Sequence, residues 1–171
     1  MSLEDFIITV YCLVDDLNKK VLSGQKLRQR GFMPGLSDSE VITMEIIAEY
    51  QGIDTDKGAW EYFRRHWIHF FPQLGSRANF AKQAAYLWEI KREIQKELAK
   101  KMGAFEDTLH MVDGFPMPVC ELTRAYFSRI FKTEADYGYC ASKDKKYYGF
   151  KGNVLINSFV HDKNIIPCFI F

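Results

Sequence analysis

The spacing of apolar residues changes once along this 171-residue chain, near Gly103. Before that point apolar residues recur every three or four positions, which is the spacing of amphipathic helices. After it, Leu109, Met111 and Asp113 alternate with their neighbours at a period of two, which is the spacing of a strand. The sequence therefore predicts an α+β fold, with a helical region over residues 1–103 and the first antiparallel strands of a sheet within residues 104–171.

Four helices are predicted in the first region. Ser2 with Asp5, and Ser37 with Glu40, have the spacing of capping boxes, so helices are expected to begin at these serines. A third helix is predicted over residues 57–70, and a fourth from Ser76 to Gly103. The predicted apolar faces comprise Phe6, Val10, Leu13, Leu17 and Val21; Val41, Met44, Ile47 and Ala48; Trp60, Phe63, Trp67 and Phe70; and Phe80, Ala84, Leu87, Trp88, Lys91, Ile94 and Leu98.

Three strands are predicted in the second region. The first leads up to Asp113, the second covers residues 147–158, and the third covers residues 164–171 after a hairpin turn at 161–164. The last segment is almost entirely apolar. Three strands with one apolar face need a further layer to form a core, so the chain is expected to be the front, C-terminally truncated part of a larger fold.

Composition excludes several classes of protein. The four cysteines are scattered without a Cys-x-x-Cys pair, which argues against a zinc site and a disulfide framework. His66 and His69 are interpreted as packing or surface residues, because no third metal ligand lies nearby in the sequence. No apolar run approaches the roughly 18 residues that span a bilayer. We therefore expect a soluble, cytoplasmic protein with reduced thiols and no membrane partner.

The stretch around Asp113 carries the strongest indication of chemistry. An apolar run over residues 109–112 precedes the acid, and Gly114, Pro116 and Pro118 follow it. This pattern predicts a strand that stops at Asp-Gly and presents a carboxylate at the edge of a sheet. Hard cations such as Mg²⁺ prefer oxygen ligands of this kind. An ordinary turn is the alternative interpretation, and this stretch alone leaves it open.

Several segments together resemble a known family. Met111-Val-Asp-Gly-Phe-Pro-Met-Pro-Val-Cys120 is followed by Arg124-Ala, Tyr137-Gly-Tyr-Cys-Ala-Ser-Lys143 and Lys146-Tyr-Tyr-Gly-Phe-Lys-Gly-Asn-Val-Leu-Ile156. In this order and spacing they are similar to the DDE-type transposases of bacterial insertion sequences, which have a ribonuclease-H-like catalytic domain. The resemblance covers nearly the whole chain, and the helical part more weakly.

The resemblance implies a function and its site residues. Asp113 corresponds to the first acid of a catalytic triad that holds Mg²⁺ or Mn²⁺, and Lys151 to a residue on the neighbouring strand. The partners implied are transposon-end and target DNA, and further copies of the enzyme. Similar proteins often carry His where this chain has Asn153. The other two acids lie downstream in the family, and Asp136, Asp144 and Asp162 do not match their motifs, so this chain alone is predicted to be inactive and to hold metal poorly.

Basic residues near Asp113 are candidates for contact with DNA. The segment from Arg124 to Lys151 contains seven basic residues against three acids. Lysine and arginine near a metal site would meet phosphates, although solvated loops are an equally good interpretation. The candidates here are Arg124, Arg129, Lys143, Lys145, Lys146 and Lys151. In the helical region they are Arg77 and Lys82, together with Arg64, Arg65, Lys91 and Arg92.

Helices 37–52 and 57–70 could also form a helix-turn-helix pair, but the acidic first helix argues against its lying on phosphate. Three hypotheses for function remain open from the sequence. The first is a truncated or split DDE transposase. The second is a non-catalytic DNA-binding remnant that inhibits the intact enzyme, and the third is a decaying fragment without a role.

Overall fold

The computed structural model describes residues 1–24, 27, 28, 33–106 and 110–157, and of residues 110 and 154–157 it describes the backbone only. These residues fall into two compact units, one over residues 1–105 and one over residues 106–157. The first is helical and the second contains a three-stranded antiparallel sheet. The α+β class predicted from the sequence is confirmed.

Local capping signals fix the first two helices. Helix α1 is Leu3–Leu22 and helix α2 is Asp38–Tyr50. Both have the predicted capping boxes, in which the backbone N–H of Asp5 donates to Ser2 Oγ at 3.1 Å and that of Glu40 donates to Ser37 Oγ at 3.2 Å. Each bond satisfies a backbone donor that the first helical turn leaves open. The two helix starts are therefore specified within a few residues of sequence.

The core faces of these helices differ in width. In α1 the fully buried apolar residues are Ile7, Val10, Val14 and Leu17, while Phe6, Leu13 and Val21 from the predicted face lie at the margin of the core. Helix α2 is buried on nearly all sides. Its fully buried residues include the predicted Val41, Met44, Ile47 and Ala48, and also Ile42 and Thr43.

The third predicted helix ends earlier than its aromatic pattern suggests. Helix α3 is Asp56–His66, and the chain then turns at Trp67. Trp67 and Phe70 stack with their ring planes 2° apart, and Phe71 packs edge-on against buried Phe63 at 5.1 Å. The aromatic spacing continues past the helix because these rings pack in a turn against the same core. The prediction of one helix over 57–70 was therefore wrong at its C-terminal end.

The fourth predicted helix is two helices. Helix α4 is Arg77–Tyr86 and helix α5 is Trp88–Lys101, with Leu87 between them. Leu87 is completely buried, so the apolar spacing runs through the break and conceals it in the sequence. Trp88, predicted on the apolar face, is instead 56% exposed. None of the helices in the described ranges has the length and apolar content needed to cross a bilayer.

The sheet has strand order β1-β3-β2. Strand β1 is His110–Cys120, β2 is Asp136–Cys140 and β3 is Lys145–Asn157, and a short helix α6, Leu122–Ala125, follows β1. A single 3₁₀ turn, Ala141–Lys143, connects β2 to β3, and Asp144 completes the connection in the left-handed conformation, with φ of 46°. The predicted strand over 164–171 and its turn at 161–164 lie outside the described residues.

One prediction about the strands was wrong, and one strand was missed. Strand β1 does not stop at Asp-Gly but continues through Pro116 and Pro118 to Cys120. In the described sheet β1 is an edge strand, where proline costs no hydrogen bond if its nitrogen faces away from the neighbour. Strand β2 was not predicted, because glycine interrupts its short Asp-Tyr-Gly-Tyr-Cys sequence.

The two long strands leave no room for a side chain at Gly149. A Cβ atom on Gly149 would lie 2.1 Å from the carbonyl oxygen of Met117 and 2.9 Å from Cα of Pro118. Both are backbone-anchored atoms that cannot move independently of β1. Only glycine therefore fits here without separating β1 from β3.

Candidate functional site

The register of the sheet places Asp113 and Lys151 on opposite faces. Paired residues of antiparallel strands share a face, and successive residues of one strand alternate between faces. Lys151 pairs with Pro116, and Asp113 lies three positions before Pro116 on a regular stretch of β1. An odd separation along a strand reverses the face. The predicted neighbouring strand is therefore confirmed, but its lysine does not share a surface with the acid.

The contact of Lys151 agrees with this assignment. An added Cβ on Gly114 would lie 2.9 Å from Cε of Lys151 and 3.4 Å from the side-chain oxygen of Asn153. Gly114 follows Asp113, so its Cβ position points away from the Asp113 face. Lys151 thus extends over Gly114, on the face where Asn153 also lies.

Asp113 is exposed on a face that is otherwise largely apolar. Met111 and Met117 flank it at alternate positions of β1 and are 53% and 47% exposed. Phe115, between Asp113 and Met117, places its ring across Gly152 of β3, where an added Cβ would lie 2.6 Å from Cζ. Asp113 is therefore an accessible carboxylate on an apolar strand face. It can supply oxygen ligands, but the residues next to it add none.

The described residues do not by themselves form a two-metal site. No three side chains of His, Cys, Asp or Glu among them come close enough together to hold an ion. One carboxylate provides too few oxygens to fix two hexacoordinate Mg²⁺ ions. Asp144 is engaged elsewhere, because its carboxylate accepts a hydrogen bond from Tyr139 Oη at 2.7 Å, and Asp162 lies outside the described residues. The described part of the chain alone therefore does not provide enough ligands for the Mg²⁺ or Mn²⁺ that the resemblance implies.

Three of the predicted DNA-contacting lysines do come together. They line a groove of about 580 Å³ in the sheet unit, which we call the lysine groove. Its lining also includes Pro116, Pro118 and Tyr147, and one acid, Glu121. Within the described part of the chain, none of the three lysines forms an ion pair. The residues that line the groove are Pro116, Pro118, Cys120, Glu121, Leu122, Thr123, Cys140, Lys143, Lys145, Lys146 and Tyr147.

The register explains how the groove forms. Lys145 pairs with Cys140, and Tyr147 pairs with Gly138, on the same face of the sheet as Pro116. A Cβ on Gly138 would lie 2.4 Å from Cζ of Tyr147, so the absent side chain leaves room for the tyrosine ring. An aromatic ring beside ammonium groups can contact both a base and a phosphate of nucleic acid. Sequence reasoning identified the lysines singly but missed the tyrosine, the prolines and the cysteines beside them.

The remaining predicted contacts in the sheet unit lie elsewhere. Arg124, in α6, and Arg129, in the loop after it, are both exposed but do not line the lysine groove. Lys151 shares the sheet face with Lys145 but lies outside the groove lining as well. The groove therefore contains only three of the seven basic residues in the segment from Arg124 to Lys151.

The helical unit offers its own exposed cations. Arg77 begins α4 and is exposed, and Lys82 lines a separate groove of about 610 Å³ together with Tyr86. Arg28, also in that lining, is paired with Asp38 through contacts of 2.6 and 3.0 Å. The exposed arginines Arg64 and Arg92 lie over the rings of Trp60 and Trp88, respectively. Of the two helices proposed as a helix-turn-helix, only α3 exposes much surface, because α2 is buried.

Lys91 was wrongly predicted as a candidate for DNA contact. Its side chain is 9% exposed and its Nζ lies 2.9 Å from the carboxylate of Glu45 in α2. Burial raises the pKa of Glu45, while the hydrogen bond and charge of Lys91 oppose that shift. An ammonium group held inside the helical unit in this way is not available to phosphate. Its neighbours in sequence gave no sign of a partner 46 residues away.

The histidines were predicted to be packing or surface residues rather than metal ligands. His66 ends α3 and lies 5.2 Å from the ring of Tyr62, and His69 lies 4.5 Å from the ring of Phe70, measured between ring centroids. Both are exposed and both contact aromatic rings.

Comparison of the chain with protein-family models, with curated proteins and with solved structures finds no match.

Proposed function

We propose that this chain is part of a DDE-type transposase of the bacterial insertion-sequence group, with Asp113 as the first of its three catalytic acids. The observation that carries the proposal is the position of Asp113. It is exposed on a long strand, β1, that pairs antiparallel with β3, the strand bearing Tyr-Tyr-Gly-Phe-Lys-Gly. The resemblance implies this order and pairing for the first acid and its neighbouring strand.

The chemistry of the proposed reaction explains why one acid is insufficient. Cleavage and transfer of a DNA strand are in-line displacements at phosphorus, which two divalent ions assist by stabilising the attacking and leaving oxygens. Several carboxylates must gather to hold both ions, and without metal their mutual repulsion raises their pKa values. Asp113 contributes one such ligand. Two further acids must complete the site, and residues 1–171 without them neither cleave nor join DNA.

The coding DNA beyond the codon for Phe171 tests this proposal. We expect a frame, continuous or shifted, that encodes an aspartate and a glutamate in a further domain segment. The joined product should nick a plasmid in Mg²⁺, and Asp113→Asn should abolish nicking while leaving DNA binding intact. Nicking that persists in Asp113→Asn, or that residues 1–171 carry out alone in an Asp113-dependent way, would contradict the proposal.

One observation favours a second candidate, a non-catalytic DNA-binding protein. The lysine groove is lined by residues between 116 and 147, and Pro116, Lys145 and Tyr147 in its lining lie on the sheet face opposite Asp113. Binding to phosphate needs only cations and displaced counterions, and no metal or acid triad. A protein with this groove can occupy DNA without cutting it.

A salt titration of DNA affinity tests the second candidate. The logarithm of the association constant should fall linearly with the logarithm of salt concentration, by about 0.9 for each phosphate contacted in duplex DNA. An affinity that does not depend on salt would contradict phosphate contact by the groove.

A further inference from the structure

The lysine groove also contains two thiols that the proposed function does not use. Cys120, at the end of β1, and Cys140, at the end of β2, both line it and both are half-buried. Both are free thiols, as is Cys12 in the helical unit, which is exposed. Cys140 pairs directly across the strands with Lys145, and Lys143 follows it by three residues in the connecting turn. One thiol thus lies among the groove's ammonium groups.

The surroundings of Cys140 favour its thiolate. Its Sγ lies 3.3 Å from Oγ of Ser142 in a hydrogen bond. That bond is the largest cause of a lowered pKa of the Cys140 thiol, followed by a backbone hydrogen bond from Lys143, whose positive charge also lowers the pKa. The thiolate is the nucleophilic form of cysteine, so these contacts increase its reactive fraction at neutral pH.

The shape and charge of the groove indicate the class of molecule that would react there. Its lining contains two prolines and a tyrosine ring, three lysines without ion pairs among the described residues, and Glu121 as its one acid. Such a cavity attracts a small molecule with carboxylates that meet the ammonium groups. In thiol–disulfide exchange the thiolate sulfur must come into direct contact with one sulfur of the disulfide, and an open groove permits that approach.

We propose that the lysine groove is a thiol-modification site, at which Cys140 attacks an anionic low-molecular-weight disulfide of the glutathione class and retains half of it. In this exchange the Cys140 sulfur forms a bond to one sulfur of the disulfide. The original sulfur–sulfur bond breaks, and the other half leaves as a thiolate, which takes a proton from solvent. The small disulfide is the oxidant, and Cys140 is oxidised to a mixed disulfide. The lysines hold the carboxylates of the reagent during the approach.

The experiment uses the reduced full chain and two small disulfides, anionic glutathione disulfide and the uncharged 2-hydroxyethyl disulfide. Intact mass follows the reaction, and peptide mapping assigns it to a cysteine. With glutathione disulfide we expect Cys140 to react roughly tenfold faster than Cys12, an effect of the size that local charge produces. With the uncharged reagent we expect a smaller ratio of the Cys140 rate to the Cys12 rate, set only by the difference in thiolate fraction between the two cysteines.

Two matched variants separate binding of the reagent from thiol reactivity. Lys143→Gln should slow modification by glutathione disulfide more than modification by the uncharged reagent. Lys132→Gln removes the same charge at an exposed loop position outside the groove and should change neither rate. Cys140→Ser should remove the fast phase altogether.

Three results would overturn the proposal. One is an equal preference for Cys140 with both reagents in the unmodified chain, which needs no variant to fold. Another is a fast phase that maps to Cys12. The third is rapid formation of an internal Cys120–Cys140 disulfide that retains no part of the reagent.

Discussion

The two units of this protein differ in how much apolar surface they bury. In the helical unit Val41, Met44, Ile47 and Phe63 are completely buried. In the sheet unit the only buried apolar side chains among those described are Ala125 and Tyr148. Its exposed large apolar residues comprise Met111, Val112, Met117, Leu122, Tyr126, Phe127, Ile130, Phe131, Tyr137 and Tyr139. The helical unit therefore holds a core built from its own described side chains, whereas the described sheet relies on backbone pairing and presents its side chains to solvent.

This contrast separates the roles of the two units. A buried core stabilises a unit but offers little chemistry, because its side chains are apolar and inaccessible. An exposed sheet offers ammonium groups, a carboxylate and thiols, with less burial to stabilise it. Both candidate sites, Asp113 and the lysine groove, lie in the sheet unit.

The largest expected effect is on the stability of the helical unit. Phe63→Ala should lower its free energy of unfolding by about 3–5 kcal/mol, because the variant leaves a cavity beside Phe71 in a closely packed core. Urea unfolding followed by tryptophan fluorescence measures this unit alone, since Trp60, Trp67 and Trp88 all belong to it.

The matched variant in the sheet unit is Phe127→Ala. Phe127 is 80% exposed, so its removal should change stability by less than about 0.5 kcal/mol. Comparable losses for the two phenylalanines, measured by urea unfolding with circular dichroism, would break the contrast between the units.

A second effect is expected at the buried ion pair. Lys91→Met should destabilise the helical unit by about 3 kcal/mol, because Glu45 is left buried without its cation. Burial already raises the pKa of Glu45, and loss of Lys91 raises it further. The folded variant then binds a proton more tightly than the unfolded chain, so its stability falls as pH rises above the ordinary glutamate pKa.

The loss should therefore be larger at pH 8 than at pH 5, measured by urea titrations at both pH values. Lys96→Met is the control, because Lys96 forms an exposed pair with Glu93 at 3.7 Å and should cost under about 1 kcal/mol. A loss that grows toward acid pH would show that Glu45 remains charged in the variant.

A third effect concerns DNA. Replacing Lys143, Lys145 and Lys146 with glutamine should make the plot of log association constant against log salt less steep by about 2 to 3. The reason is that each lysine is expected to contact one phosphate. The same change at Arg77 and Lys82 tests whether the helical unit contributes. A larger slope change from the helical pair would place the main DNA contact in the unit with the buried core.

The smallest expected effect is at Asp113. Asp113→Asn should leave both unfolding and the salt slope of DNA binding nearly unchanged in residues 1–171, because the side chain is exposed and lies on the face opposite Lys145 and Tyr147 of the lysine groove. Mobility shifts with and without Mg²⁺ measure this. A marked gain in affinity on removing the charge would mean that DNA passes over the Asp113 face instead.

Sequence reasoning succeeded where the determinants are local. The capping serines Ser2 and Ser37 have their partners three residues away, so both helix starts were readable. It failed at Leu87, where the apolar spacing is continuous across a break, and at Lys91, whose partner lies in another helix. These features depend on tertiary packing, which short-range spacing does not encode.

The candidate site was predictable in part for the same reason. The residue types around Asp113 and the lysines of the basic segment stood out individually. Their grouping depends on strand register, which puts Lys145 beside Cys140 and Tyr147 over Gly138, and Asp113 on the other face from Lys151. A shift of the strand register by one residue would move every side chain of the strand to the opposite face, so the residue types alone do not determine which side chains lie together.

The absent side chain at Gly149 links the two surfaces of the sheet. A single added methyl group there would press on the carbonyl of Met117 and push β1 away from its neighbour. Since β1 carries Asp113 on one face and Pro116 and Pro118 of the lysine groove on the other, these residues would be displaced together. The missing side chain at Gly149 thus permits the short distance between β1 and β3, and with it the positions of the side chains that β1 carries on both faces.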